Sequence, residues 1–232
     1  MRIGKFAGCV AILCGIMVGC TLQKEKVILP PPVWGSVKQA VAATNAQYRE
    51  RESFFSYFYS APTELVCLGD SITQKFEWQD ALPQYEVKNR GIGSDTTLGA
   101  LARLDSIALL KPQIISLMIG INDLAQNRTI DSIEHTYQTL LDNIYELMPD
   151  TTIIVTSVLP VTEDHTIRSE DILELNKRIQ ALCLERGIVY LDLFADFSDE
   201  NGHLKQAYAM DSVHLSAQGY ALWLEHLVRA LQ

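Results

Sequence analysis

Glu64-Leu65-Val66-Cys67-Leu68-Gly69-Asp70-Ser71 changes from apolar to polar at a glycine. The apolar run has the length of one strand, and the glycine punctuates its end. Its residues are apolar in succession rather than in alternation, so the strand is buried on both faces, as in a parallel sheet covered by helices. Working outward, Ile114-Ile115-Ser116-Leu117-Met118-Ile119 reads the same way. So do Thr152 to Val158 and Ile188-Val189-Tyr190-Leu191, while Tyr85 to Asn89 is a weaker strand. Helical patterns lie between them near 97–110, 129–148 and 169–186, with a last one near 217–231. Five strands alternating with amphipathic helices predict an α/β fold with a parallel sheet covered on both faces. No Gly-x-Gly-x-x-Gly opens a helix after the first strand, which argues against a dinucleotide site.

The chain has 232 residues, 48% hydrophobic and 20% charged, the size and composition of one folded domain. Its formal net charge is -9, from 19 basic against 28 acidic residues. An acidic surface without a basic stripe repels phosphate backbones, so nucleic acid is not an expected partner.

The first residues have the pattern of an export signal. Arg2 and Lys5 precede an uncharged run from Phe6 to Gly19. That run ends in Met17-Val18-Gly19-Cys20, which resembles a bacterial lipobox. Residues 1–20 are therefore expected to be a signal peptide, with Cys20 lipidated and the mature protein held on a membrane surface by that anchor alone. Such a protein faces the periplasm or the cell exterior. Residues 21–34 read as a tether stiffened by Pro30-Pro31-Pro32. Residues 35–232 form a single domain opening with a helix over 35–60, whose aromatic end (Phe54 to Tyr59) is expected to pack. Cys67 and Cys183 read as small buried hydrophobes, with a disulfide between them left open. No Cys-x-x-Cys and no His/Cys cluster points to a metal.

In open α/β sheets, ligands bind beyond the carboxyl ends of the strands. Three strand ends carry polar turns: Gly69-Asp70-Ser71, Gly91-Ile92-Gly93-Ser94-Asp95, and Gly120-Ile121-Asn122-Asp123. The loop before the last helix reads Asp211-Ser212-Val213-His214. Ser71 offers a hydroxyl that needs a base. His214 can be that base, because imidazole titrates near neutrality. Asp211, three residues earlier, can fix its tautomer. Asn122 can donate to a developing oxyanion, as can the backbone N–H groups of Ser71 and of the Gly93–Ser94 turn. Nucleophile, base, orienter and oxyanion donors together specify acyl transfer. Singly, each signal is weak: Gly-Asp-Ser is a common turn or helix cap, and Asp-x-x-His arises by chance. Ser71 is followed two residues later by Thr73, so this is not the Gly-x-Ser-x-Gly elbow of other esterases.

Gly-Asp-Ser-Ile-Thr-Gln (69–74), Asn-Arg-Gly-Ile-Gly-Ser-Asp-Thr-Thr (89–97), Gly-Ile-Asn-Asp (120–123) and Asp-Ser-Val-His-Leu (211–215) with Gly219-Tyr220 resemble the SGNH hydrolase, or GDSL-type esterase, family. The likeness runs from about Glu64 to the end. It is greatest to the branch of the platelet-activating-factor acetylhydrolases and bacterial acetylesterases. The resemblance implies a flavodoxin-like three-layer α/β/α fold, Ser71 as nucleophile, Asp211 and His214 completing a triad, and Asn122 in the oxyanion hole. It implies no metal and no organic cofactor. One position departs: the family's second-block glycine stands directly before the Asp-Thr pair, where this chain has Ser94. Ser94 can serve by its backbone N–H; if the site demands positive φ, Gly93 is the alternative.

With export, the resemblance favours hydrolysis of short O-acyl groups, acetyl above all, on a small-molecule or glycan ester. A lysophospholipase, a thioesterase or an acyl transferase stays open on the same residues. So does a glycan-binding lipoprotein without catalysis, although intact Ser71, Asn122, Asp211 and His214 argue against it. Phe76 and Trp78 are read as core, His226 as packed or capped on the last helix, and Asp70 and Asp123 as structural hydrogen-bonding groups.

Overall fold

The computed structural model describes residues 36, 38–41, 45–57 and 62–232. The signal peptide, Cys20 and the tether lie outside the described residues, as do the last aromatics of the Phe54 to Tyr59 cluster. Strands β1 (Leu65–Gly69), β2 (Val87–Gly91), β3 (Ile114–Met118), β4 (Thr152–Thr156) and β5 (Val189–Leu191) form one sheet in the order β2-β1-β3-β4-β5. Every pairing is parallel. The chain steps from β1 to one side for β2, then crosses to the other side for β3. The reversal places a crevice between the ends of β1 and β3, where this class of sheet binds its ligands.

Alternate side chains of β1 feed opposite layers. Val66 and Leu68 join a core with Leu140, Ile144 and Ile179. Leu65 and Cys67 join a second core with Trp78, Trp223 and Leu227. The first is covered by α7 (Ile130–Leu147) and α8 (Ser169–Arg186), the second by α10 (Ala217–Ala230) and the short α3 (Trp78–Ala81). Helices therefore flank both faces of a five-stranded parallel sheet, as expected. Cys67 and Cys183 are buried and free, on opposite faces of that sheet, so no disulfide joins them.

Besides shifts of one or two residues at element ends, such as β2 starting at Val87 and β4 stopping at Thr156, three differences from the sequence reading have a physical cause. β2 runs two residues further than Asn89, because polar Arg90 still pairs with Leu68 and Gly91 with Gly69 on this edge strand. The helix read over 97–110 is two helices, α4 (Thr97–Ala102) and α5 (Leu104–Ala108). They meet at Arg103, whose φ of -117° leaves the helical region while its side chain turns inward. Within the 35–60 segment, residues 38–41 are helical, and Asn45 caps a separate helix α1 (Ala46–Tyr57) by accepting from the Tyr48 N–H. Phe55 on α1 is buried, as expected of a packing face, whereas Phe54 and Tyr57 are exposed.

Candidate active site

Ser71 opens a one-turn helix, α2 (Ser71–Gln74), directly after β1. The turn is tight. A Cβ on Gly69 would lie 2.2 Å from Thr73 Oγ1 and 2.3 Å from the Met118 carbonyl, so only glycine fits there. Asp70 is buried and caps the helix, its Oδ1 accepting from the Ile72 N–H at 2.9 Å. This is the structural role read from the sequence. Burial is the largest influence on the Asp70 carboxyl and raises its pKa to about 7, with Asp95 and Asp123 adding to the effect.

Two further groups brace this turn. Asn89 of β2 donates to the carbonyls of Thr73, Gln74 and Phe76 at 3.0 to 3.1 Å. Tyr220 of α10 donates to the Ile72 carbonyl at 2.7 Å. Phe76 stacks on Tyr220 with ring centroids 4.6 Å apart, and Trp78 meets Trp223 edge to face at 4.8 Å. The nucleophile turn and the helix that follows His214 are thus packed as one unit. Trp78 is core, as expected, and Phe76 is half-buried against the same aromatic cluster.

His214 sits on a loop closed by pairing of Ala209 with Leu215 and by the Met210 N–H donating to the His214 carbonyl at 2.8 Å. Asp211 Oδ1 accepts from the N–H groups of Val213 (3.0 Å) and His214 (2.7 Å). Its Oδ2 lies 2.7 Å from His214 Nδ1, and His214 Nε2 lies 2.9 Å from Ser71 Oγ. Burial pushes the Asp211 carboxyl up, but those two N–H groups and the imidazole together outweigh it and hold it well below the usual carboxylate range. An ionised Asp211 can only accept, so the ring proton belongs on Nδ1 and Nε2 offers its lone pair to the serine hydroxyl.

Asn122 lies at the start of α6 (Ile121–Ala125), just beyond β3. Its Nδ2 donates to the Asp95 carbonyl at 2.9 Å. That bond uses one of the two amide hydrogens and leaves the other for a ligand. Ser94 has φ of 59°, in the left-handed region that the departure from glycine had put in question. Serine fills that conformation here. The Gly93 N–H is committed to Gln74 Oε1 at 2.5 Å, so Ser94 and not Gly93 has the available N–H of this turn. The structure thus brings the turns of Ser71, Ser94, Asn122 and the Asp211–His214 loop together at the carboxyl edge of the sheet.

The profile of the GDSL-like lipase/acylhydrolase family matches residues 67–222, which include all of these turns. The chain belongs to that family. It is an ester-hydrolysing enzyme. Among solved structures, the hydrolase is similar to one from Streptococcus pneumonia named for platelet activating factor (TM-score 0.73, 23% identity, 88% of this chain and 100% of that one). It is also similar to a GDSL-like lipase from Bacteroides thetaiotaomicron (0.69, 24%, 80% and 97%). A third is the acetyl xylan esterase AlAXEase (0.64, 22%, 73% and 100%). At such identities these structures speak for the fold. No curated protein matched the chain.

Sequence reasoning missed the groups that hold this hydrolase site in place. Arg103 is fully buried and pairs with Asp95 at 2.9 Å. It also donates to the carbonyls of Arg90 (2.7 Å) and Gly69 (3.1 Å), tying together the ends of β2 and β1 and the Ser94–Asp95 turn. Burial raises the Asp95 pKa to about 6, against the pull of Arg103. Asp123 braces the third turn, as expected, by accepting from the Thr97 N–H and hydroxyl at 2.9 and 2.7 Å and pairing with Arg128. His226 is held by Asp196 at 3.1 Å rather than by apolar packing alone. Among the described residues, no helix is long and apolar enough to cross a membrane, and no group of three His, Cys, Asp or Glu has the arrangement of a metal site.

Proposed function

We propose that the protein is a serine esterase that removes short O-acyl groups, acetyl above all, from carbohydrates through an acyl-enzyme on Ser71. The observation that carries this reading is the continuous chain of contacts from Asp211 through His214 to Ser71, at 2.7 and 2.9 Å. Ser71 Oγ attacks the ester carbonyl as His214 Nε2 takes its proton. Negative charge develops on the carbonyl oxygen, where the second Asn122 N–H and the N–H groups of Ser71 and Ser94 stabilise it. His214 returns the proton to the departing alcohol, and water, activated by the same imidazole, then releases the acid.

The crevice beside Ser94 supports a carbohydrate as the alcohol side. A cavity of about 460 Å³ there is bordered by Asn45, Gln47, Gln126 and Thr96, with the buried Asp95 beside them and no Lys or Arg among the described residues of its lining. Neutral amides and hydroxyls suit the hydroxyl groups of a sugar, whereas a phospholipid headgroup calls for a cation. The fold neighbour that is an acetyl xylan esterase points the same way. We propose further that the enzyme is exported and anchored by lipid on Cys20, for which the apolar run ending in Gly19-Cys20 is the support.

The test is turnover of p-nitrophenyl acetate, butyrate and octanoate, and of an acetylated xylan, by wild type and Ser71→Ala. The reading expects the acetate to be preferred, acetate to be released from the glycan, and Ser71→Ala to lose at least about a hundredfold in kcat. Equal rates for the two proteins would defeat it, and preference for octanoate would defeat the short-acyl part. Labelling with palmitate that Cys20→Ala abolishes is the expected outcome for the anchor.

A further inference from the structure

Helix α1 lies outside the stretch 67–222 that carries the family match, yet its N-terminus reaches the Ser94 turn. Tyr48 and Phe55 are buried with Ile92 in a third small core, and the Arg90 guanidinium of β2 lies 4.4 Å above the Phe55 ring. This docking brings Asn45 to Gly93. Asn45 Nδ2 donates to the Gly93 carbonyl at 3.0 Å, while its Oδ1 accepts from the Tyr48 N–H at 3.0 Å. Gln47 closes the other side: a Cβ on Gly93 would stand 1.7 Å from Gln47 Oε1. The Gly93 N–H is already held by Gln74, one turn on from Ser71.

The peptide bond between Gly93 and Ser94 connects these contacts to the chemistry. Its carbonyl is the group that Asn45 grips, and its N–H is the Ser94 donor. Among the described residues no peptide bond is cis. In a trans peptide the carbonyl and the N–H point in opposite directions across one plane, so fixing the first aims the second. A hydrogen bond to the carbonyl also polarises the amide and strengthens its N–H as a donor.

We propose that Asn45 is a positioning residue of the oxyanion hole: its bond to the Gly93 carbonyl aims and polarises the Ser94 N–H. The proposal rests on the serine-esterase reading above. It makes the segment ahead of the family's common stretch a working part of the site.

Asn45 also caps α1, so the test must separate the two roles. Asn45→Asp keeps the acceptor that caps Tyr48 but has no N–H for the Gly93 carbonyl. Asn45→Ser keeps a capping oxygen without adding charge and is too short to reach that carbonyl. Both are compared with wild type for kcat and KM on p-nitrophenyl acetate, for affinity to phenylboronic acid, and for melting temperature. The boronic acid accepts Ser71 Oγ at boron, becoming a tetrahedral anion, while the hydroxyl proton passes to His214; it therefore reports the oxyanion hole directly. The expected result in both variants is a kcat lower by about tenfold, less than the loss of a whole donor. KM is expected to be unchanged, boronate affinity to fall by the same factor, and melting temperature to stay close to wild type. Wild-type kcat and boronate affinity in both variants overturn the proposal, as does a rise in KM with kcat intact. Boronate binding by wild type that does not depend on Ser71 defeats the serine-esterase reading itself, a result distinct from either.

Discussion

The Asn122 amide and the Asp95 carbonyl are joined by a 2.9 Å hydrogen bond that links the turn after β3 to the turn after β2. The bond fixes the amide plane, so the second N–H has one direction rather than a choice of rotamers. A donor held in place before the reaction costs no reorganisation when charge develops. Asn122→Ala is therefore expected to lower kcat by about a hundredfold to a thousandfold. KM and melting temperature should change little, since the substituted group carries no core packing. Steady-state kinetics on p-nitrophenyl acetate measures this, and a loss confined to KM would assign Asn122 to ground-state binding instead.

Arg103 holds the other side of that bond in place. Its guanidinium is fully buried and serves Asp95, Arg90 and Gly69 together. Removing one partner of a buried pair leaves the other charged and dry, at about 3–5 kcal/mol. Arg103→Met is expected to lose stability on that scale in urea denaturation. Arg103→Lys is expected to restore little of it, because one ammonium cannot match the planar fork that reaches a carboxylate and two carbonyls. Full stability in Arg103→Lys would mean that charge alone, and not the fork, matters.

The contrast between Ser71 and Arg103 shows what was legible in the sequence. Ser71, Asn122, Asp211 and His214 each lie at a strand end or in a loop, next to residues that break periodicity, so their placement follows from the order of elements. The strands themselves were legible because their apolar runs are continuous. Arg103 gave no such signal. It lies within an apparently continuous helical pattern, and an arginine there reads as a solvated face. Its partners turn it inward: the Asp95 carboxylate and, across longer stretches of chain, the carbonyls of Arg90 and Gly69. Asn89 and Asn45 were hidden for the same reason: their partners are backbone carbonyls, which have no letter in the sequence. Ser94 is the intermediate case, where the departure from glycine flagged the position but not its φ.

That φ, 59°, yields its own prediction. The left-handed region costs a non-glycine residue about 1–2 kcal/mol, and glycine adopts it freely at some cost in chain entropy. Ser94→Gly is thus expected to hold or raise stability, by up to about 1 kcal/mol. It should keep kcat close to wild type, because the reaction needs the backbone N–H and not the hydroxyl. Thermal unfolding and kinetics together check this. A large fall in kcat with stability intact would show that the Ser94 side chain takes part in binding.

Asp70 gives the pH dependence of folding. Its carboxyl is buried beside Ser71, and burial raises its pKa from 3.8 to about 7. The folded state therefore holds this proton where the unfolded state has released it. The folded pKa is raised, so the group penalises folding increasingly as pH rises from about 4 to about 7, and the penalty is constant above that. Asp70→Asn removes the charge while its Oδ1 can still cap the Ile72 N–H. The variant is expected to gain on wild type between pH 5 and pH 8, by on the order of 2 kcal/mol across that range. Paired thermal melts at the two pH values read the gap directly. A gap that stays constant, or narrows as pH rises, would mean that Asp70 is already ionised at pH 5 and that its hydrogen bonds outweigh its burial.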